Sequence, residues 1–182
     1  VLPMKFFKKA VVSGFIFASI SAPVAAGTEP TGCYKPVRGF AASYCMNPEE
    51  QCTKQQGVYR IVLRNKQLPW GQRRLVLVGT FDGQITDMNH PDNSACTELA
   101  HILKDANGNE IIETQSDIAC PIGGDGVTYL EVLETMNIFK GYGLYGDVKA
   151  GSRVTLKGLI GLKTGINSFR VAPQDADEVC FD

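Results

Sequence analysis

Helical periodicity is missing from this 182-residue sequence: nowhere does an apolar spacing of three and four persist long enough for a substantial helix. Histidine is nearly absent, with only His90 and His101. A metal centre or an acid–base site built on either would need partners that the sequence does not place. No G-x-S-x-G, HExxH, Walker loop or dinucleotide fingerprint occurs, which removes the motif-bearing hydrolase, zinc-protease and nucleotide-binding classes. After the first residues, no apolar run is long enough to cross a bilayer as a helix. An excess of positive charge is missing too. Setting aside the three lysines of residues 1–26 leaves 15 basic against 19 acidic side chains, a net of −4. That balance argues against a nucleic-acid partner, which requires a basic footprint.

What is present begins with a targeting pattern. Met4 opens a basic segment with Lys5, Lys8 and Lys9, an apolar run covers residues 10–20, and Val24-Ala25-Ala26 supplies small residues at a cleavage position. This predicts a secretory signal peptide over 1–26 and a single β domain over 27–182, exported to the periplasm or outside the cell. No cysteine follows the cleavage position, so no lipid anchor is expected.

All six cysteines lie beyond that point. An even count in an exported chain predicts three disulfides, and six cysteines allow 15 connectivities. The expected set is Cys33–Cys180 across the termini, Cys45–Cys52 around a small loop and Cys96–Cys120 around a hairpin. Cys45 and Cys52 do not have zinc-ribbon spacing. No metal or cofactor is expected, and paired cysteines leave no thiol nucleophile.

The organising stretch is 127–171. Val154, Leu156, Ile160 and Leu162 share one parity with Gly158, against Arg153, Thr155, Lys157 and Lys163 with Leu159 and Gly161. A period of two predicts a strand with one buried face. Repeated glycines there predict bends and close backbone approach, hence a strongly curved sheet or barrel. Further strands are expected at 58–63 and 74–81. Two more, at 99–104 and 110–114, flank an Asn107-Gly108 turn. Residues 27–56 and 121–126 read as loops, and 82–95 reads as the longest exposed loop. The predicted fold class is all-β: one antiparallel barrel or strongly curved sheet, stapled by disulfides.

Candidate sites are few. Asp105, Asn107 and Asn109 have the opening spacing of a calcium loop, but Glu110 replaces the required glycine and Ser116 the closing acid, so the segment reads as a hairpin turn. Glu131 and Glu134 fall on opposite parities, which disfavours a carboxylate pair. Glu131 shares parity with Val127, Tyr129 and Leu133; if that is the inner face, it is a candidate interior acid, and an edge or rim acid is the alternative reading. Tyr129, Phe139, Tyr142, Tyr145 and Phe169, with Glu131, are candidate ligand-lining residues. Plain core packing is the alternative for the aromatics.

The run 137–147, NIFKGYGLYGD, followed by Arg153-Val154-Thr155-Leu156-Lys157-Gly158, resembles part of the allene oxide cyclase and dirigent barrels. The resemblance covers about 25 residues and implies an antiparallel eight-stranded barrel with an apolar cavity. The family's Gly-Thr-Gly triplet stands here as Gly141-Tyr142-Gly143, and the six cysteines are foreign to its pattern. No catalytic residue carries over. The leading expectation is an exported binding protein, not an enzyme, that holds a small apolar ligand or presents a surface to a protein partner. The alternatives are a small cyclase or isomerase with a barrel cavity, and a secreted inhibitor or immunity-type protein that uses the 82–95 loop.

Overall fold

The computed structural model describes residues 29–48, 52–90, 92 and 95–182. The targeting pattern of 1–26 lies outside these residues. Ten strands follow in order: β1 (Gly32–Cys45), β2 (Lys54–Arg64), β3 (Arg74–Asp87), β4 (Thr97–Lys104), β5 (Glu110–Thr114), β6 (Asp117–Gly124), β7 (Tyr129–Gly141), β8 (Arg153–Gly161), β9 (Ile166–Val171) and β10 (Val179–Phe181). Every pairing is antiparallel, and β9 returns to pair with β1, closing a ring of eight strand positions into an approximate barrel. No helix among the described residues is long and apolar enough to cross a membrane.

One position in the ring is shared. β4 pairs with β5 at one end and with β6 at the other, and β7 does the same. Between β5 and β6 stands Ser116, at φ 52°. The break resets the side-chain parity. Thr114 and Asp117, three residues apart, both point inward and both are fully buried. In an uninterrupted strand they would face opposite sides.

The core follows the alternation. Tyr59, Ile61 and Leu63 from β2 pack with Leu77 and Phe81 from β3, Leu103 from β4, Val132, Met136 and Ile138 from β7, Val154 and Leu156 from β8, and Phe169 from β9. Gly158 lies among them. A Cβ there would come within 2.3 Å of the Ser168 carbonyl oxygen and 2.4 Å of the Phe169 ring, so only glycine lets β9 approach and Phe169 turn inward.

Three expectations change. Residues 32–45, expected as loop, form the 14-residue strand β1. Beyond Tyr34 and Pro36 its inward residues are small, Ala41 and Ser43, so the alternation there carries little hydropathy contrast. Pro36 is accommodated at a register irregularity between Pro36 and Arg38. β3 runs on to Asp87, through the Asp82-Gly83 pair that reads as a turn, which shortens the expected 82–95 loop. β6 likewise extends through Pro121 to Gly124, with a register shift between Pro121 and Gly123. The Asn107-Gly108 turn joins β4 and β5, with Gly108 at φ 86°. The Asp105 carboxylate accepts from the backbone amides of Asn107 and Asn109 and from the Asn109 side chain, so the calcium-like residues hold the turn itself.

The structure has disulfides Cys33–Cys180, Cys45–Cys52 and Cys96–Cys120. The segment before β10 is fixed by Asp177, whose buried carboxylate accepts from the Thr155 amide and hydroxyl and from the Gln174 amide. Cys96 and Cys120 lie 24 residues apart, bracketing the β4–β5 hairpin. Replacing both by alanine is expected to lower the unfolding free energy by about 3 kcal/mol, the loop-entropy value for such a span. Urea denaturation of the two proteins measures the difference.

Candidate functional site

A polar layer crosses the barrel interior where residues of seven strands meet. On β1, the Ser43 hydroxyl donates to Gln55 Oε1 of β2 at 2.8 Å. The Asn167 amide of β9 donates to both, at 3.2 and 3.3 Å. Gln55 Nε2 stands 3.5 Å from Nε2 of His101 on β4. His101 Nδ1 lies 2.7 Å from Asp117 Oδ2 at the start of β6, and Nε2 lies 3.7 Å from Oε1 of Glu134 on β7. Thr114 donates its hydroxyl to the same Asp117 oxygen, and the Asn137 amide donates to the other at 2.6 Å. His101 and Glu134 are each only 4 % exposed. Asp117 is therefore saturated with donors, which holds Nδ1 of the imidazole toward it and turns Nε2 toward Gln55 and Glu134.

Gly83 of β3 completes the layer. A Cβ there would press within 2.8 Å of both the Gln55 side chain and the His101 ring. The glycine leaves the space that the two side chains occupy.

Next to this layer is a narrow cavity of about 20 Å³, lined by Gln55, His101 and Glu134 on one side and by Tyr59, Phe81, Met136, Leu156 and Phe169 on the other. That is room for about one water molecule. Gln55 and His101 also line an outer groove of about 380 Å³ that contains Met46, Lys54, Asp82, Gln84 and Glu113.

The residues expected to line a ligand site do not converge. Phe169 lines the small cavity. Tyr145 is half-buried against Phe181, with ring centroids 6.4 Å apart. Tyr129 and Phe139 are exposed. Tyr142 donates its hydroxyl to Glu113 at 2.8 Å, and Lys140 sits 4.6 Å over its ring. Glu131, a candidate for the interior or else an edge or rim acid, lies outside the barrel in an ion pair with Lys157 at 2.9 Å. Its neighbour in the sequence pattern, Glu134, is the acid that faces inward, because Val132, Glu134, Met136 and Ile138 make up the buried parity of β7.

A second feature is on the outer face of β1, β2 and β3. Lys35 stands opposite Arg64, and Arg64 opposite Arg74, so three cations form one row across three strands. Arg38 and Arg60 lie further along the same face, opposite Val62 and Phe40. None of Arg38, Arg60, Arg64, Arg73 and Arg74 forms an ion pair among the described residues. Arg73 donates to the Leu68 carbonyl at 2.7 Å and lies 5.9 Å over the ring of Trp70, which is 82 % exposed. Trp70, Val37, Val62 and four of the arginines line a groove of about 560 Å³. The whole-chain charge averages over two unlike parts. Residues 51–81 contain no acid, and all acids but Glu29, Glu49 and Glu50 fall within 82–182.

Comparison of the chain with protein-family models, with curated proteins and with solved structures found no match.

Both features escaped the sequence pattern. The arginine face is readable as a local charge tally, which the net charge conceals. The buried cluster joins three separate strands, and its assembly depends on the parity reset at Ser116.

The cluster makes stability depend on pH. Burial opposes charge on His101, but the hydrogen bond to Asp117 and the charges of Glu134 and Asp117 outweigh it, so its pKa is raised above the ordinary 6.5. Burial also raises the Glu134 pKa above 4.5, against the pull of His101 and with the help of Asp117. Both shifts have the same sign. Each favours the protonated form in the folded state, so each stabilisation is complete below the ordinary pKa and is lost as pH rises through the folded value. The urea midpoint is expected to fall as pH rises above 4.5, and in His101→Gln the part of that fall above pH 6.5 is expected to disappear.

Proposed function

We propose that this chain is an exported, disulfide-stapled binding protein whose working surface is the outer face of β1, β2 and β3, and that it engages an acidic patch on a partner protein. The observation that carries the reading is Arg64 opposite Arg74, with Arg38, Arg60 and Arg73 beside them and no acid paired to any of these arginines among the described residues; Lys35, at the end of the row, pairs with Glu178 at 3.5 Å. Like charges directly opposite each other across strands are destabilising. A surface that keeps them relieves the repulsion when it meets an anion.

The chemistry of the face favours a protein over a simple polyanion. Arginine pairs with carboxylates through two parallel hydrogen bonds. An exposed tryptophan beside arginines, with Val37, Phe40, Val58 and Val78 exposed nearby, matches an interface with an apolar centre and charged surroundings. Export to the periplasm or the extracellular space is supported by the leader-like segment and by three disulfides with no free cysteine among the described residues. An interior cavity of about 20 Å³ weighs against the two readings that store or convert a small apolar molecule inside the barrel.

The test uses a synthetic peptide that alternates glutamate and leucine, with heparin, duplex DNA and anionic vesicles in parallel. Binding of the peptide is expected to weaken as salt rises. Arg64→Ala with Arg74→Ala should reduce its affinity at least tenfold, and Trp70→Ala should reduce it several-fold on its own. Tighter binding to heparin, DNA or vesicles with no effect of Trp70→Ala would assign the face to a polyanion instead. Equal binding by wild type and the double arginine variant would remove the face from the function altogether.

A further inference from the structure

We propose that the barrel interior is a binding site for one divalent cation, best fitted by zinc, held by His101 Nε2, the Glu134 carboxylate and the Gln55 side-chain amide oxygen, with Asp117 as the positioning residue behind the histidine. This site is independent of the arginine face.

The first argument is the state of Glu134. Its carboxylate is 4 % exposed and lines the interior cavity, yet it makes no hydrogen bond among the described residues. Its polar neighbour is His101 Nε2, at 3.7 Å. A charge-assisted hydrogen bond between these atoms would be about 2.8 Å long. Two atoms bound to one zinc, each about 2.0–2.1 Å from the metal at near-tetrahedral angles, lie about 3.4 Å apart. The observed gap lies closer to the spacing of two ligands facing a common centre than to that of a donor and an acceptor.

The second argument is the shell around the pair. Metal-bound histidine usually donates its other ring N–H to a carboxylate, and here Nδ1 meets Asp117 at 2.7 Å. Asp117 is itself held by Thr114 and by the Asn137 amide. The Gln55 amide, 3.5 Å from Nε2, supplies a third donor once its oxygen is turned toward the ion. A paired half-turn of Gln55 and Asn167 keeps their mutual contact with donor and acceptor exchanged. The cavity of about 20 Å³ alongside leaves the fourth position to one water.

Charge gives the third argument. A metal takes the place of the protons that the folded state otherwise favours on His101 and Glu134; with both released, Asp117 and Glu134 bring two negative charges into the interior, and one divalent cation balances them. One nitrogen and two oxygen donors suit zinc better than the all-oxygen, higher-coordinate shells of calcium. The other cluster of ligand types, Cys33, Glu178 and Cys180, has both its cysteines in a disulfide.

The experiment uses the full mature protein with its disulfides intact, freed of metal by chelator. It is then titrated calorimetrically with Zn²⁺, Ca²⁺ or Mg²⁺. A second sample is refolded in the presence of Zn²⁺, so that slow entry does not mask a site, and its metal content is measured by mass spectrometry. One equivalent of zinc is expected, with a raised thermal midpoint and no comparable uptake of calcium or magnesium. Glu134→Gln and Asp117→Asn should each weaken zinc binding at least tenfold while circular dichroism stays that of the barrel. His90→Ala, outside the cluster, should leave it unchanged. No zinc after refolding, unaltered binding by Glu134→Gln, or loss of binding in His90→Ala would each overturn the interior site.

Discussion

Closure of the sheet through the pairing of β9 with β1 is the constraint on which the rest of this structure depends. A closed sheet has no open edge strand within the ring, and each strand position is assigned to an inside or an outside. The inside is finite, so its residues are sized to one another. Gly158 gives way to Phe169, Gly83 to Gln55 and His101, and Ala41 and Ser43 keep β1 thin. Polar side chains on inward positions are largely cut off from water and mostly satisfy one another, as Asp117 does with donors from β4, β5 and β7, while Asn167 Oδ1 has no partner among the described residues.

Much of this was legible in the sequence, wherever inside and outside differ strongly in hydropathy. β8 shows it best: Val154, Leu156 and Gly158 are buried as their parity predicts, although Thr155 of the other parity is buried too, against Asp177, and Leu162 at the far end is exposed. The β4–β5 hairpin was legible from Asn107-Gly108 because that pair has a steric preference of its own. β1 was not, because small inward residues and Pro36 blur its period. The far half of β3 was not, because Asp82-Gly83 has the chemistry of a turn, while in the barrel the glycine serves close approach. Such a site distinguishes the two uses of glycine only through residues of other strands, Gln55 and His101. The same limit applied to the buried cluster. Choosing Glu134 over Glu131 required the absolute facing of β7, and bringing in Asp117 required the left-handed Ser116, neither of which a period of two encodes.

Inner and outer chemistry are set independently by that alternation. On β2, Tyr59, Ile61 and Leu63 fill the core while Arg60 and Arg64 face out from the alternate positions. The outward set can be charged without disturbing the packing, and the repulsion between Arg64 and Arg74 is tolerated because the inward neighbours supply the stability. Val62 marks the boundary between the two regimes. Its parity is outward, yet it is 3 % exposed, at the floor of the arginine-lined groove, covered by long side chains whose stems are apolar.

The disulfide between Cys33 and Cys180 has a mechanical consequence. It joins β1 to β10 across 147 residues of chain, at the two ends of the folded domain. A pull applied to anything attached before Cys33 and beyond Cys180 therefore passes from one side to the other through a single sulfur–sulfur bond. The hydrogen-bonded ladders between them carry none of that load. Tethered at its ends and stretched, the barrel behaves as a bead hung on a covalent staple, and it begins to bear force only when that bond is reduced.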